Sequence, residues 1–443
     1  MSSVSAPEVV KAFKNVYGDV HDLLPEDYLL AKDIPFDQRQ MVGEKYIEAV
    51  ILTNEVGITL GGSGTEAFEI NPAIAGATKQ AEVTPSVTVL PSLVPWSVIS
   101  RTAGAGDKAF FDASKQIVKN NLKSHGKFLE IFRLYGQADN RLGSVSYATA
   151  TYRSVSFTTG TGTLAFKGTD KVFTNGVNTT DKLILFAPGE FAAGIWVGLQ
   201  GVRLRQITNA TGVTAASGKL VSVDAKNGII EVDFTPVAAT AVDSHHLCID
   251  GQQDNKEMLG IQKILSTVGT LFGINNSTYE LYRGNVEDVV NAKLTFSKIQ
   301  NGIANAVNQG QLEDDLVIYV NPRTWATLVT TEAGSRRYDD SYKPNEAENG
   351  FRDIVFYGPN GRNVIKAHRY VKEGHAFGMC LKEWSRSGSA EISFTVPGMK
   401  QELIFPLENQ AAYAFRSYAD QYIFCYGPSK SIWWKRINDE AAS

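Results

Sequence analysis

The run Tyr46-Ile47-Glu48-Ala49-Val50-Ile51-Leu52-Thr53-Asn54-Glu55-Val56-Gly57-Ile58-Thr59-Leu60, closed by Gly61-Gly62-Ser63-Gly64, decides how the rest of the chain is read. It is a long β-prone stretch, and a second one, rich in Val, Thr, Leu and Ile, runs from Glu82 to Ser100 after a loose Ala/Gly region that extends through Gly76. Two strands of about 15 residues would project roughly 50 Å, about three times the usual strand. A lone ribbon of that reach is not stable in water, so either a wide sheet in the same domain or another copy of the chain must support it. Pro85, Pro91 and Pro95 in the returning arm argue against a central strand, because each removes a ladder donor. The segment therefore reads as an extended intersubunit loop. Its candidate contact residues are Gly61, Gly62, Ser63 and Gly64 at the tip and Lys79, the only lysine between 46 and 104. The glycine cluster matches neither GxGxxG nor GxxxxGK[ST] and precedes no helix, so a flexible tip is the plainer account than a phosphate cradle.

C-terminal to the ribbon, Asp107 can cap a helix from Lys108 to Tyr135, with Gly136 at the expected stop. At 100° per residue, Phe110, Phe111, Ile117, Val118, Leu122 and Phe128 fall on one half with Leu129, Ile131, Phe132 and Tyr135. The other half carries Lys108, Lys115, Lys119, Lys123, Lys127 and Arg133, which Asp112 and Glu130 leave net positive. Lysines stacked at i+4 repel unless anions lie nearby. Two readings stay open: a solvated face paired to acids of neighbouring subunits, or a lumen-facing contact with DNA phosphate, which needs dispersed cations and no base-reading residues. Gly126 weakens the helix and predicts a bend or break there. His125 lies on the apolar half, where a hydrogen-bonded core histidine is the ordinary explanation.

On the N-terminal side, residues 1–45 begin with a capping box, Ser5-Ala6-Pro7-Glu8, and a short amphipathic helix with Val9, Val10, Phe13, Val16 and Tyr17. Beyond Gly18 the segment turns acidic, and Pro25 and Pro35 are expected to stop further helix, leaving an arm that lies on something else. Farther along, residues 146–250 are Thr-, Gly- and Val-rich with alternating runs at Lys182–Phe186, Lys219–Val223 and Gly228–Phe234, the signature of a small β-domain. Helical spacing returns at Glu257–Leu265 and Phe296–Val307, followed by a strand at Leu316–Val320 and a helix start at Asn321-Pro322. Strands dominate from Asp353 onward, with a hairpin about Gly358-Pro359-Asn360-Gly361. No repeat of 20–50 residues occurs, which disfavours solenoids and propellers.

The chain's 443 residues include 43 Lys plus Arg against 47 Asp plus Glu, a net charge of −4 that does not suit a dedicated nucleic-acid reader. The first residues lack a signal peptide's basic and apolar regions, and no 18-residue apolar run occurs, so secretion and membrane spanning are not expected. Cys248, Cys380 and Cys425 read as free thiols of a reducing compartment. Asp243, His245, His246, Cys248 and Asp250 are metal-ligand types without a second ligand pair, so a strand end with solvated acids is the better account. GxSxG, HExxH and CxxC are absent, and no nucleophile, base and orienting acid can be assembled, so no catalytic site, metal or cofactor is expected. Trp433-Trp434-Lys435-Arg436 could stack on single strands, but a packed terminal strand explains it more simply.

An arm, a glycine-tipped ribbon, a long amphipathic helix, a mixed domain with a β insert and a stranded C-terminus form an α+β layout. Over nearly the whole chain it resembles the major capsid proteins of tailed double-stranded DNA bacteriophages, the Hong Kong 97-like fold. The local likenesses are Pro91–Thr102, Val221-Ser222-Val223-Asp224 with Gly228-Ile229-Ile230, Glu257-Met258-Leu259-Gly260-Ile261, and Val317-Ile318-Tyr319-Val320-Asn321-Pro322 before Trp325. The resemblance implies an N-terminal arm at 1–45, an E-loop at 46–104 and a spine helix of the peripheral domain at 105–139. An axial domain at 140–365 would hold a β-rich insertion at about 150–250, and strands at 366–443 would complete both domains. It further implies self-assembly into pentamers and hexamers of an icosahedral head around packaged DNA, with no enzyme activity and no membrane. A separate scaffolding protein, a portal and a cement or decoration protein would be partners, and the virion, assembled in the host cytoplasm, the location. The alternative is the shell of a cellular, encapsulin-like nanocompartment with a protein cargo. A secreted β-rich adhesin and an enzyme are more distant readings.

Overall fold

A computed structural model describes residues 28–39, 45–61, 64, 67–97, 107–145, 155–156, 163–165, 172–173, 183–208, 213–226, 228–236, 245–335, 354–394, 404–407 and 410–440. The helix expected at 5–17, the tip residues Gly62 and Ser63, and Asp243 lie outside these residues, as do the side chains of Lys108 and Lys115.

The long helix runs from Asp107 to Tyr135 without interruption. Gly126 does not break it: a Cβ there would sit 3.0 Å from the Tyr28 ring, so the missing side chain is where the arm lies down on the helix. Tyr28 fixes the contact by donating its hydroxyl to the Lys123 carbonyl at 2.8 Å. At the other end, Gly136 and Gly260 let two backbones cross, because a Cβ on Gly136 would meet the Met258 carbonyl oxygen at 2.1 Å. Gly260 N donates to Gly136 O at 2.8 Å, and the short helix Ile261–Ser266 starts from that crossing.

Beneath the long helix lies a five-stranded sheet built around the 14-residue strand Ala412–Cys425. One side of that strand pairs with Trp384–Ser393 and Ile404–Pro406, and the other with Ser86–Pro95 over its full length. This corrects the expected ribbon. The β-prone stretch from Glu82 to Ser100 does not return alongside 46–60 as one long strand; it divides at Thr84-Pro85, and only Thr78–Val83 pairs back, with Tyr46–Ile51. Ser86–Pro95 is an edge strand, the place its prolines allow. The arm contributes a five-residue helix, Leu29–Asp33, which fits between the two prolines that were expected to exclude helix, and then Phe36–Gln38, a parallel edge strand on Trp384–Ser393.

The β insert is a closed barrel. Its strand order is Gly143–Val145, His245–Ile249, Arg203–Thr208, Thr214–Asp224, Ile229–Val232 and Leu183–Leu185. A bridge between Val145 and Phe186, with Ala187 N donating to Ser144 O at 2.8 Å, joins last strand to first and removes both edges. A second six-stranded sheet, in the order Asn285–Ala292, Ile432–Ile437, Ala376–Met379, Leu316–Val320, Gly361–Ala367 and Ile354–Gly358, draws strands from both sides of residue 366. Alternation splits its two faces. Leu316, Ile318, Val320, Ile432 and Trp434 enter one apolar cluster with Ile299 and Ile303 of the helix Phe296–Gly310, while Tyr319, Phe377 and Trp433 enter the main core with the long helix and the barrel. The two tryptophans are thus buried on opposite faces of a central strand, as terminal-strand packing requires.

Candidate functional site

The ribbon is anchored at its base and bare beyond it. Along Tyr46–Ile51, Tyr46, Glu48 and Val50 point inward and Ile47 and Ile51 outward. The Tyr46 and Tyr422 rings lie 4.7 Å apart. Glu48 accepts from Tyr426 Oη at 2.9 Å, from Tyr422 Oη at 3.2 Å and from Arg39. A buried carboxylate with three donors is satisfied, and it fixes the direction in which the ribbon leaves the body. Outward of this base, Ala77 N donates to Thr53 Oγ1 at 2.8 Å, Val56 bridges Ile74, and Asn71 bonds both Thr59 Oγ1 and the Ile58 carbonyl. The Phe68 ring lies against Gly61, where a Cβ would be 2.4 Å from it.

Among the described residues from 53 to 80 none is buried. The exposed ones include Val56, Ile58 (79%), Leu60 (86%), Phe68, Ile70 (80%) and Ile74. Isolated exposed apolar residues are ordinary, but a contiguous set on a projecting element marks an interaction surface. Gly61, Gly64 and Lys79 lie on this same element, Lys79 exposed opposite Val50. In the sequence the glycines are the conspicuous feature of this stretch, and the exposed apolar side chains are signalled only by the i, i+2 spacing of Val56, Ile58 and Leu60.

The lysine face is not one solvated surface. Lys119 is exposed, whereas Lys123 is buried and Lys127 donates to the Val197 carbonyl at 2.5 Å. Burial pushes the Lys127 amine down to about 8, with Arg369 adding to the effect. Arg133 is no candidate for DNA contact: it is 3% exposed and pairs with Glu130 at 2.8 Å, its other arm donating to Gln421 at 2.9 Å. The arm and the sheet cover that end of the helix from both sides. Leu30 N and His368 Nε2 also bond Glu130, at 2.7 and 3.2 Å.

The remaining residues singled out in the sequence have their own partners. His125 bridges Thr88 Oγ1 and Ser417 Oγ at 2.8 and 2.7 Å beneath the helix, as a core histidine should. His245 bonds Gln206, His246 bonds Arg141, and Asp250 pairs with Arg205, so these side chains do not converge. Among the described residues there is no cluster of metal-ligand type. All three cysteines are buried and unbridged. None of the helices described is long and apolar enough to cross a membrane.

No family model and no curated protein matches the chain. Solved structures do. A chain of the Cyanophage A-1(L) capsid asymmetric unit superposes with a TM-score of 0.51 at 11% identity, covering 96% of each chain. The capsid of a native GTA particle gives 0.44 at 6%, covering 98% of this chain and 100% of that one. The holo-SrpI encapsulin of Synechococcus elongatus PCC 7942 gives 0.42 at 6%, covering 98% and 97%. The chain therefore shares, over almost its whole length, the broad Hong Kong 97-like fold of the cyanophage capsid chain.

Proposed function

We propose that this chain is a shell subunit: the major capsid protein of a tailed bacteriophage, whose copies form the pentamers and hexamers of an icosahedral head around double-stranded DNA. The observation that carries the reading is the ribbon. Its base is locked by Glu48 and Tyr46, while Val56, Ile58, Leu60, Phe68, Ile70 and Ile74 are left exposed by the described residues. A second copy of the chain is the occupant that the shared capsid fold favours, and burying those side chains between copies would supply the driving force for association. On this reading a scaffolding protein, a portal and a cement protein are further partners, and the exposed Lys119 marks the side of the helix that would touch DNA.

The test is to produce the full chain, image it by negative stain and analyse what copurifies. Closed shells are expected. Genome-length DNA inside particles made during infection supports the phage reading, whereas an enzyme cargo supports a nanocompartment. Replacing Ile58, Leu60, Phe68 and Ile70 together with Ser, which leaves the Tyr46–Val83 base intact, should give folded subunits that do not close shells. Intact shells from that variant would remove the ribbon from the assembly mechanism.

A further inference from the structure

Where the turn after the long helix meets the barrel and the second six-stranded sheet, a buried lysine meets a partly buried asparagine and a partly buried glutamate. Lys372 has no exposed side-chain surface. Its backbone N–H donates to Tyr135 Oη at 2.8 Å, and its Nζ lies 4.6 Å from the Tyr135 ring centroid. Nζ donates to Glu190 Oε2 at 2.7 Å and to the Asn140 main-chain carbonyl at 3.2 Å. The other oxygen, Glu190 Oε1, accepts from Asn140 Nδ2 at 2.6 Å and lies 3.4 Å from His375 Nε2. The Asn140 side-chain carbonyl in turn accepts from Gln262 Nε2 at 2.9 Å.

One carboxylate therefore holds, on its two oxygens, the amine of Lys372 and the amide nitrogen of Asn140, while a separate N–H donor polarises the carbon between them. From this arrangement we infer that Lys372 and Asn140 are poised to form an intrachain isopeptide bond, with Glu190 as proton carrier and Gln262 as oxyanion donor. Burial, the largest influence on the Lys372 amine, lowers its pKa although Glu190 opposes the shift, and that enlarges the neutral, nucleophilic fraction; against its own burial, Glu190 is held below the usual carboxylate range by Lys372 and His375, so it is ionised and carries a proton only in passing. The protonated amine gives one proton to Glu190 and its nitrogen attacks Cγ of Asn140. Gln262 stabilises the tetrahedral oxyanion, Glu190 passes the proton to Nδ2, the Cγ–Nδ2 bond breaks to release ammonia, and the attacking nitrogen gives up its second proton through Glu190 to that ammonia, which leaves as ammonium. One C–N bond forms and one breaks, with no change of oxidation state and no co-reactant. The bond would close a loop 232 residues along the chain, tying the turn after the long helix to the connection between Gly361–Ala367 and Ala376–Met379 of the second six-stranded sheet.

Intact-mass spectrometry of the purified full-length protein tests this without a variant. The expected mass is one ammonia below that written by the sequence, and a tryptic digest should contain a branched species joining Leu134–Arg141 to Tyr370–Lys382, uncleaved at Lys372. A succinimide at Asn140 has the same mass, so the branched peptide decides. Glu190→Gln should keep the full mass while retaining the native circular-dichroism spectrum. A full-mass wild-type protein with both peptides linear after prolonged incubation at mildly alkaline pH, or an ammonia-short protein without the branch, would overturn the inference. Unimpaired bond formation in Glu190→Gln would overturn the role given to that carboxylate.

Discussion

At the scale of single residues, the buried polar groups around the long helix control stability and its pH dependence. Glu130 is held ionised in a site that burial alone would make unfavourable; the His368 bond, the Arg133 charge and the Leu30 N–H outweigh that penalty and bring its pKa below the usual carboxylate value. Replacing Glu130 with Ala strands Arg133 without its countercharge and should cost about 3–5 kcal/mol, measured by denaturant unfolding of the subunit. His125 works in the opposite sense, because burial first and Arg133 second push its pKa down to about 4. Folded His125 then binds fewer protons than the unfolded chain between about pH 4 and pH 6.5, so its contribution is complete above that window and falls as pH drops through it, by at most about 1.4 kcal/mol per pH unit. His246 sits at about 4 for the same leading reason and adds to the slope. Urea midpoints taken from pH 7 to pH 4.5 should decline more steeply for the wild type than for His125→Gln; equal slopes would show that this imidazole does not stay neutral. The core role of His125 was legible from its place on the helix. The burial of Arg133 was not, since angular spacing registers a charge but not the arm and the sheet that close over it from distant parts of the chain.

At the scale of elements, the sequence specifies what is local and leaves partner choice open. The long helix could be read from its cap, its apolar half and Gly136, and the short strands of the insert from their alternation. The partner of Ser86–Pro95 could not be, because the competing edge of Ala412–Cys425 comes from the far end of the chain and offers ten paired positions where the ribbon offered none. The glycine stop carries more than helix termination. Gly136→Ala would drive a Cβ into the Met258 carbonyl and part the Gly136–Gly260 crossing, so a loss of about 2–3 kcal/mol in unfolding free energy is expected. Gly201→Ala is the control for a solvent-facing glycine, since a Cβ there meets nothing within 4 Å and only its φ of +84° is at stake; about 1 kcal/mol is expected. Similar losses at both positions would deny the crossing its structural role.

At the scale of the whole molecule, exposed apolar side chains among the described residues are densest along the ribbon, with scattered ones such as Val268, Val290 and Tyr357 elsewhere. The mixed α+β layout and its order were readable because arm, ribbon, long helix and β insert follow one another in sequence. Closure of the insert into a barrel was not, because it rests on a single bridge between Val145 and Phe186 that no alternation pattern announces. The central claim is that the ribbon's cover is a neighbouring copy. Electron cryo-microscopy of the purified full-length protein tests that most directly. The account requires closed shells in which Ile58, Leu60, Phe68 and Ile70 lie against an adjacent subunit, and particles that are solitary monomers with those side chains folded onto their own body, or shells in which they stay bare, would contradict it.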